Sequence, residues 1–127
     1  MKINHMAMYV RQLEEMKRFY MQFFEATCGD KYHNQKTGLQ TYFLTFENQM
    51  RFELMTRPNL ERDQKSLYQT GYIHLAFSVG SKEKVDELTN CLKEAGYDIL
   101  SSPRTTGDGY YESCILDPEG NQVEITI

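Results

Sequence analysis

The sequence predicts an α+β fold of two βαβββ modules, with mixed sheets curled around a cleft and helices on the outside. Three observations predict it. The chain repeats itself: HMAMYVRQLEEMKRFYMQFFEA from His5 lies over HLAFSVGSKEKVDELTNCLKEA from His74, an offset of 69 residues. Each copy opens with a strand-like alternation and continues with apolar residues three and four apart, the period of a buried helix stripe. Each copy then closes with two more alternating stretches separated by turn-forming residues. Repeats this short and few do not stack as a solenoid; they pair around one sheet system.

The first module, about 1–56, begins with a strand that carries His5 on the face of Ile3, Ala7 and Tyr9, with Met6, Met8 and Val10 opposite. A helix follows, roughly from Leu13 to Glu25, with Gly29 beyond it. Met16, Phe19, Phe23 and Ala26 match Val85, Leu88, Leu92 and Ala95 of the second copy. The aromatic stripe Phe19, Tyr20, Phe23 and Phe24 reads as core or as a subunit contact. The strands LQTYFLTF and MRFELMT come next, joined at Glu47-Asn48-Gln49.

The polar stretch RPNLERDQKSLYQTG, about 57–70, connects the halves and leaves room for a lid or an exchanged contact. Module two, about 71–127, opens with GYIHLAFSV. There Tyr72, His74, Ala76 and Ser78 share one face, and Ile73, Leu75, Phe77 and Val79 the other. Its helix starts after Ser81, an N-cap residue, and stops at Gly96. A short strand is expected around YDIL, followed by YYESCIL and QVEITI. Asp117-Pro118-Glu119-Gly120-Asn121 between the last two is a strong turn signal.

Bulk properties narrow the function. At 127 residues the chain fits one domain, and 40% hydrophobic with 25% charged residues is ordinary for a globular protein. A net charge of −4 and no basic stripe argue against nucleic acid as a partner. No apolar run reaches membrane-spanning length, and MKINHMAMYV lacks the apolar core of a signal peptide, so a cytoplasmic location is expected. Three cysteines (Cys28, Cys91, Cys114) without a CxxC spacing read as reduced structural thiols. Nothing near Cys114 in sequence would activate it.

The chemistry lies in the first and last strand of each module. Arg51-Phe52-Glu53-Leu54-Met55 and Gln122-Val123-Glu124-Ile125-Thr126 turn their glutamates away from the apolar stripe, as the opening strands do their histidines. Any one of these residues alone reads as a solvated strand face. Four of them, repeated in type, order and facing, read as metal ligands. Two neutral imidazoles (His5, His74) and two carboxylates (Glu53, Glu124) suit one divalent Zn, Ni, Co, Mn or Fe(II); an all-oxygen Ca or Mg site would not use histidine.

With these residues in place, the chain resembles the vicinal oxygen chelate superfamily, and glyoxalase I within it. The carriers are INHMAMYV, the helix with KRFYMQFF, RFELM, GYIHLAFSV and, most recognisably, LDPEGNQVEIT, so the resemblance spans essentially the whole chain. It implies that His5, Glu53, His74 and Glu124 occupy the four ligand positions. It also implies a homodimer, in which sites often draw ligands from both chains. The implied activity converts the hemithioacetal of a 2-oxoaldehyde and a thiol into a hydroxyacyl thioester. The resemblance further implies that the metal would stabilise an enediolate and that Glu124, with Glu53 as its partner, would move the proton.

The chain departs from glutathione-using members at two positions. Tyr9 stands where they carry an arginine, and Arg57 where they carry an asparagine. A different thiol or another vicinal-oxygen substrate is therefore open. Fosfomycin-modifying thiol transferases use two histidines and one glutamate, so Glu53 argues against them. Ring-cleaving dioxygenases are usually longer, epimerase-like members carry Gln at the Glu53 position, and metal-free drug-binding members lack the ligand set. Arg104, with Thr105 and Thr106 before Gly107-Asp108-Gly109, is a candidate for holding an anionic substrate group on a mobile loop. Surface turn chemistry accounts for that stretch about as well. Tyr110 and Tyr111 read as strand packing, and His33 in KYHNQKTG as solvated.

Overall fold

The computed structural model describes residues 1–61 and 65–127. The part of the expected connection at 62–64 lies outside the described residues. The chain forms two compact units, one on either side of residues 62–64.

The first unit runs β1 (His5–Tyr9), α1 (Leu13–Phe23), β2 (Thr27–Cys28), β3 (Tyr32–His33), β4 (Gln40–Thr45) and β5 (Arg51–Thr56). Its mixed sheet has the order β1-β5-β4-β2, with β3 also on β4; β1 runs parallel to β5 and the other pairs are antiparallel. The alternation seen in the sequence is the burial pattern: Phe52, Leu54 and Leu44 are buried, while Glu53 and Phe43 between them face the other side. Helix α1 lays Leu13, Met16, Phe19 and Tyr20 against that apolar face. Tyr20 meets Phe52 edge-on at 5.5 Å between ring centres. Each such fully buried side chain contributes about 1.5–3 kcal/mol of burial free energy.

Helix α1 ends at Phe23, two residues before the expected Glu25. The backbone N–H groups of Phe24 and Ala26 both reach the Tyr20 carbonyl, at 3.1 and 3.3 Å, and Glu25 between them has a left-handed φ of 54°. That closes the helix without the glycine that would have announced its end. Strands β2 and β3, two residues each, were not expected. They pair with opposite ends of β4 and are too short for alternation to reveal. His33 therefore lies in a strand, though exposed as expected.

The second unit runs β6 (His74–Ser78), α2 (Lys82–Glu94), β7 (Ile99–Thr105), β8 (Tyr111–Leu116) and β9 (Gln122–Thr126), in the sheet order β6-β9-β8-β7. Again the opening strand is parallel to the closing one. Both ends of α2 are where the sequence puts them. Ser81 Oγ accepts from the Lys84 backbone N–H at 3.3 Å. At the other end Gly96, with φ 91°, allows Gly96 and Tyr97 to donate back to Lys93 and Leu92. Val85, Leu92, Ile115, Val123 and Ile125 are fully buried. A buried hydroxyl pair, Thr89 and Ser113 at 2.6 Å, joins helix to sheet, and the Thr89 hydroxyl is also 2.6 Å from the Val85 carbonyl.

Strand β7 is longer than the short YDIL strand expected. It extends to Thr105 through two register shifts against β8, and Pro103 fits there because β7 is an edge strand. Arg104 and Thr105 are therefore strand residues, and only from Thr106 does the chain turn. Tyr111 packs toward α2, its hydroxyl donating to Asp86 at 2.7 Å, whereas Tyr110 is exposed in the turn. Among the described residues, no helix is long and apolar enough to cross a membrane.

Candidate metal centre

Each unit builds one histidine–glutamate pair in the same way. Because β1 and β5 are parallel with Ala7 opposite Glu53, His5 stands one same-face step back and reaches the glutamate on a diagonal. His5 Nε2 lies 3.7 Å from Glu53 Oε2. In the second unit Ala76 is opposite Glu124, and His74 Nε2 lies 3.2 Å from Glu124 Oε2 by the same diagonal.

Those spacings can be compared with what an ion requires. Donors bound about 2.1 Å from one metal, at the angles of a tetrahedron or octahedron, stand about 3.0–3.4 Å apart. The second pair falls in that range and the first is slightly wide. An imidazole nitrogen and a carboxylate oxygen are also the donor types that divalent Zn, Ni, Co, Mn and Fe accept. Among the described residues of each unit, no third His, Cys, Asp or Glu joins its pair to hold an ion. His5 is thus brought to Glu53 and His74 to Glu124, two donors per unit.

The surroundings differ. In unit two, partial burial raises the Glu124 carboxyl above its ordinary range; His74 and Arg104 oppose this, and Glu112 and Asp108 add to it. A cation beside Glu124 would relieve that cost. Directly across the β8–β9 ladder is Cys114, whose thiol is pushed up to about 11, chiefly by burial and then by Glu124 and Glu112. It is a protonated neighbour at neutral pH, in line with the expectation of an unreactive thiol.

In unit one the place of Cys114 is taken by Phe43. Its ring meets His5 edge-on at 5.6 Å and carries the Arg51 guanidinium over its face at 4.8 Å. Asn4 Oδ1 lies 2.9 Å from His5 Nδ1 and 2.6 Å from Arg51 Nη2. Sequence reasoning missed Asn4, Arg51 and Phe43 as parts of this site. Arg51 was findable, since it stands two residues before Glu53 and so shares its face; nothing local singles out Asn4.

Of the three substrate candidates, Tyr9 and Arg57 belong to the first unit and Arg104 to the second. Tyr9, 48% exposed, ends β1 on the side of His5. Arg57 is exposed just past β5. Arg104 is paired in register with Glu112 in β7 and donates to Ser101 Oγ, so it belongs to the sheet rather than to a mobile loop.

The turn before β9 explains the DPEGN signal physically. Asp117 is 4% exposed, and its Oδ1 accepts from the backbone N–H groups of Glu119 and Asn121, both at 2.9 Å. Its Oδ2 accepts from Asn121 Nδ2 at 2.6 Å. Gly120, at φ 76°, closes the turn by donating to the Asp117 carbonyl. This sets the start of β9, and with it the register that presents Glu124.

Comparison with known proteins agrees with this architecture. The Glyoxalase/Bleomycin resistance protein/Dioxygenase superfamily model matches residues 2–125. An uncharacterized protein of Bacillus subtilis (strain 168), YqjT, is 30% identical over 130 residues, covering 97% of this chain and 96% of that protein. Among solved structures, a glyoxylase/bleomycin resistance protein/dioxygenase domain from Frankia sp. EAN1pec superposes with a TM-score of 0.84 at 18% identity, covering 100% of this chain and 97% of that one. Glyoxalase I from Zea mays gives a TM-score of 0.80 at 21% identity, over 98% of this chain and 44% of that one. The fosfomycin resistance protein FosX from Listeria monocytogenes, solved with Mn(II) and sulfate, gives 0.72 at 19% identity, over 98% and 90%. At these identities the structures show a shared fold, while the family model spans nearly the whole chain. The chain belongs to the Glyoxalase/Bleomycin resistance protein/Dioxygenase superfamily.

Proposed function

We propose that this protein is a metal-dependent lyase of the glyoxalase I type, converting the hemithioacetal of a 2-oxoaldehyde and a thiol into a hydroxyacyl thioester. The observation that carries the reading is the repeated diagonal: both units bring a histidine nitrogen and a glutamate oxygen close together, at 3.7 Å in the first and 3.2 Å in the second. A set of two histidines and one glutamate would not need Glu53. His5, Glu53, His74 and Glu124 are the proposed ligands of one divalent ion, Zn, Ni, Co, Mn or Fe. When bound, that ion would supply electrophilic pull on the two adjacent substrate oxygens.

The chain's own part is proton movement and binding. Glu124, whose carboxyl already holds its proton more strongly than usual, takes the proton from the carbon bearing sulfur and returns it to the neighbouring carbon. No atoms are gained or lost, as an isomerisation requires. Glu53 is its partner, and Tyr9, Arg57 and Arg104 are the proposed substrate contacts. Because Tyr9 and Arg57 replace the arginine and asparagine of glutathione-using members, the thiol is proposed to differ from glutathione. The cytoplasmic setting and the homodimer that the family resemblance implies form part of the same reading.

Elemental analysis after chelation and reloading tests the metal, on wild type and on His74→Ala and Glu53→Ala. Methylglyoxal with a panel of thiols tests the reaction. One divalent ion per site, weakened in both variants, together with thioester formation, is the expected result. Metal-free wild type would leave a metal-independent binding module, and a Glu53→Ala variant that keeps its metal would point to a three-ligand transferase.

A further inference from the structure

We infer that Asn4, held by Arg51, is a positioning residue that fixes His5 in its Nδ1–H tautomer and leaves Nε2 as a free donor. The inference rests on the metal reading above, in that the freed donor is His5's proposed metal-facing atom.

The argument follows from what each group can donate. A guanidinium only donates hydrogen bonds, so the Asn4 atom 2.6 Å from Arg51 Nη2 must be the amide oxygen, not the nitrogen. The same oxygen lies 2.9 Å from His5 Nδ1. An oxygen accepting there requires a proton on that nitrogen. In the neutral imidazole the lone pair then resides on Nε2, and Nε2 is the atom turned toward Glu53. Phe43 stabilises the arrangement from below, with the guanidinium over its face and its edge against the imidazole.

The second unit has no such device. Ile73 stands before His74 where Asn4 stands before His5, and it offers no side-chain acceptor. Gln122 occupies the register position of Arg51, opposite the histidine, but its amide nitrogen donates to the Leu67 carbonyl at 3.3 Å. Apart from Glu124, no described side chain bonds to the His74 ring. Of the two proposed imidazole ligands, one is therefore pre-set by the protein and the other is not.

The test is long-range ¹⁵N correlation spectroscopy of the imidazoles in metal-free wild type, Asn4→Leu and Asn4→Asp, followed by titration with Co²⁺ alone. Wild type and Asn4→Asp are expected to show His5 with its proton on Nδ1, and Asn4→Leu a mixture of tautomers, with His74 unchanged in all three. Co²⁺ affinity should fall about 10- to 100-fold in Asn4→Leu and be largely kept in Asn4→Asp. A wild-type His5 protonated on Nε2, or an Asn4→Leu variant with unaltered tautomer or unaltered Co²⁺ affinity, overturns the inference. If wild type takes up no Co²⁺ while His5 still holds its proton on Nδ1, the metal reading falls and the hold of Asn4 on His5 stands.

Discussion

Across the strand from its glutamate the first unit carries Phe43, and the second carries Cys114. One step further into each core the contrast repeats: Tyr42 in the first, the buried Ser113 in the second. On the helices, Tyr20 of α1 matches Thr89 of α2 at the 69-residue offset. Unit one thus fills its helix–sheet space with rings, and unit two with aliphatic side chains and a hydroxyl pair in which Ser113 donates to Thr89 and Thr89 to the Val85 carbonyl. The same histidine–glutamate diagonal is built on both. What is shared between the units is strand register and facing, which the backbone enforces; what differs is everything that side-chain volume can trade.

The largest effect expected from breaking this pairing is on turnover. Glu124→Gln should lower kcat by about 10²- to 10⁴-fold, the usual worth of a positioned general base. Glu53→Gln should cost less if Glu124 is the main base. Steady-state kinetics on the two variants decide it, and equal losses would erase the distinction between the units.

Next in size are the turns that lead into β5 and β9. In unit two the buried Asp117 carboxylate accepts from the Glu119 and Asn121 N–H groups and from Asn121 Nδ2, whereas in unit one the exposed Asn48 accepts from the Met50 N–H at 3.0 Å. Asp117→Ala should destabilise by about 2–3 kcal/mol, since three part-buried N–H donors lose a buried charged acceptor, and Asn48→Ala by about 0.5 kcal/mol. Urea denaturation of both variants measures this. Similar values would mean that the DPEGN turn contributes no more than the short one.

The smallest effect separates the first turns of the helices. Hydrogen bonds from Lys31 and Lys17, then Tyr42, hold the Glu14 carboxyl at about 2. Its folded value lies below the unfolded 4.5, so the stabilisation is present above about pH 4.5 and lost as pH falls toward 2. The side chain is 47% exposed, which limits the contribution to about 0.5–1 kcal/mol. Denaturation of wild type and Glu14→Gln at pH 7 and near pH 2 should show a difference that vanishes at the lower pH. Glu83, at the matching place in α2, is held low by its own backbone N–H and by Ser81 rather than by cations. Glu83→Gln should therefore be far less sensitive to added salt than Glu14→Gln; equal salt sensitivity would contradict the contrast.

How much of this was legible in advance depended on how local the cause was. Both ends of α2 could be read because Ser81 and Gly96 act within one helical turn. The end of α1 could not, because Glu25 adopts a left-handed conformation that its residue type does not announce. The polar RTTGDG run reads as a loop, yet edge position and shifted pairing let β7 continue through Arg104.

By itself, the sequence determined the two modules, the buried stripes and the outward face shared by each histidine with its glutamate. Side-chain facing in a strand follows from a period of two, whatever the strand pairs with. Only the tertiary structure decided which residues meet across strands. The parallel register of β1 on β5 brings Arg51, 47 positions away in the chain, to Asn4, and the antiparallel register of β9 against β8 sets Cys114 beside Glu124. Such neighbours depend on ladder pairing between distant segments, and no local period encodes that.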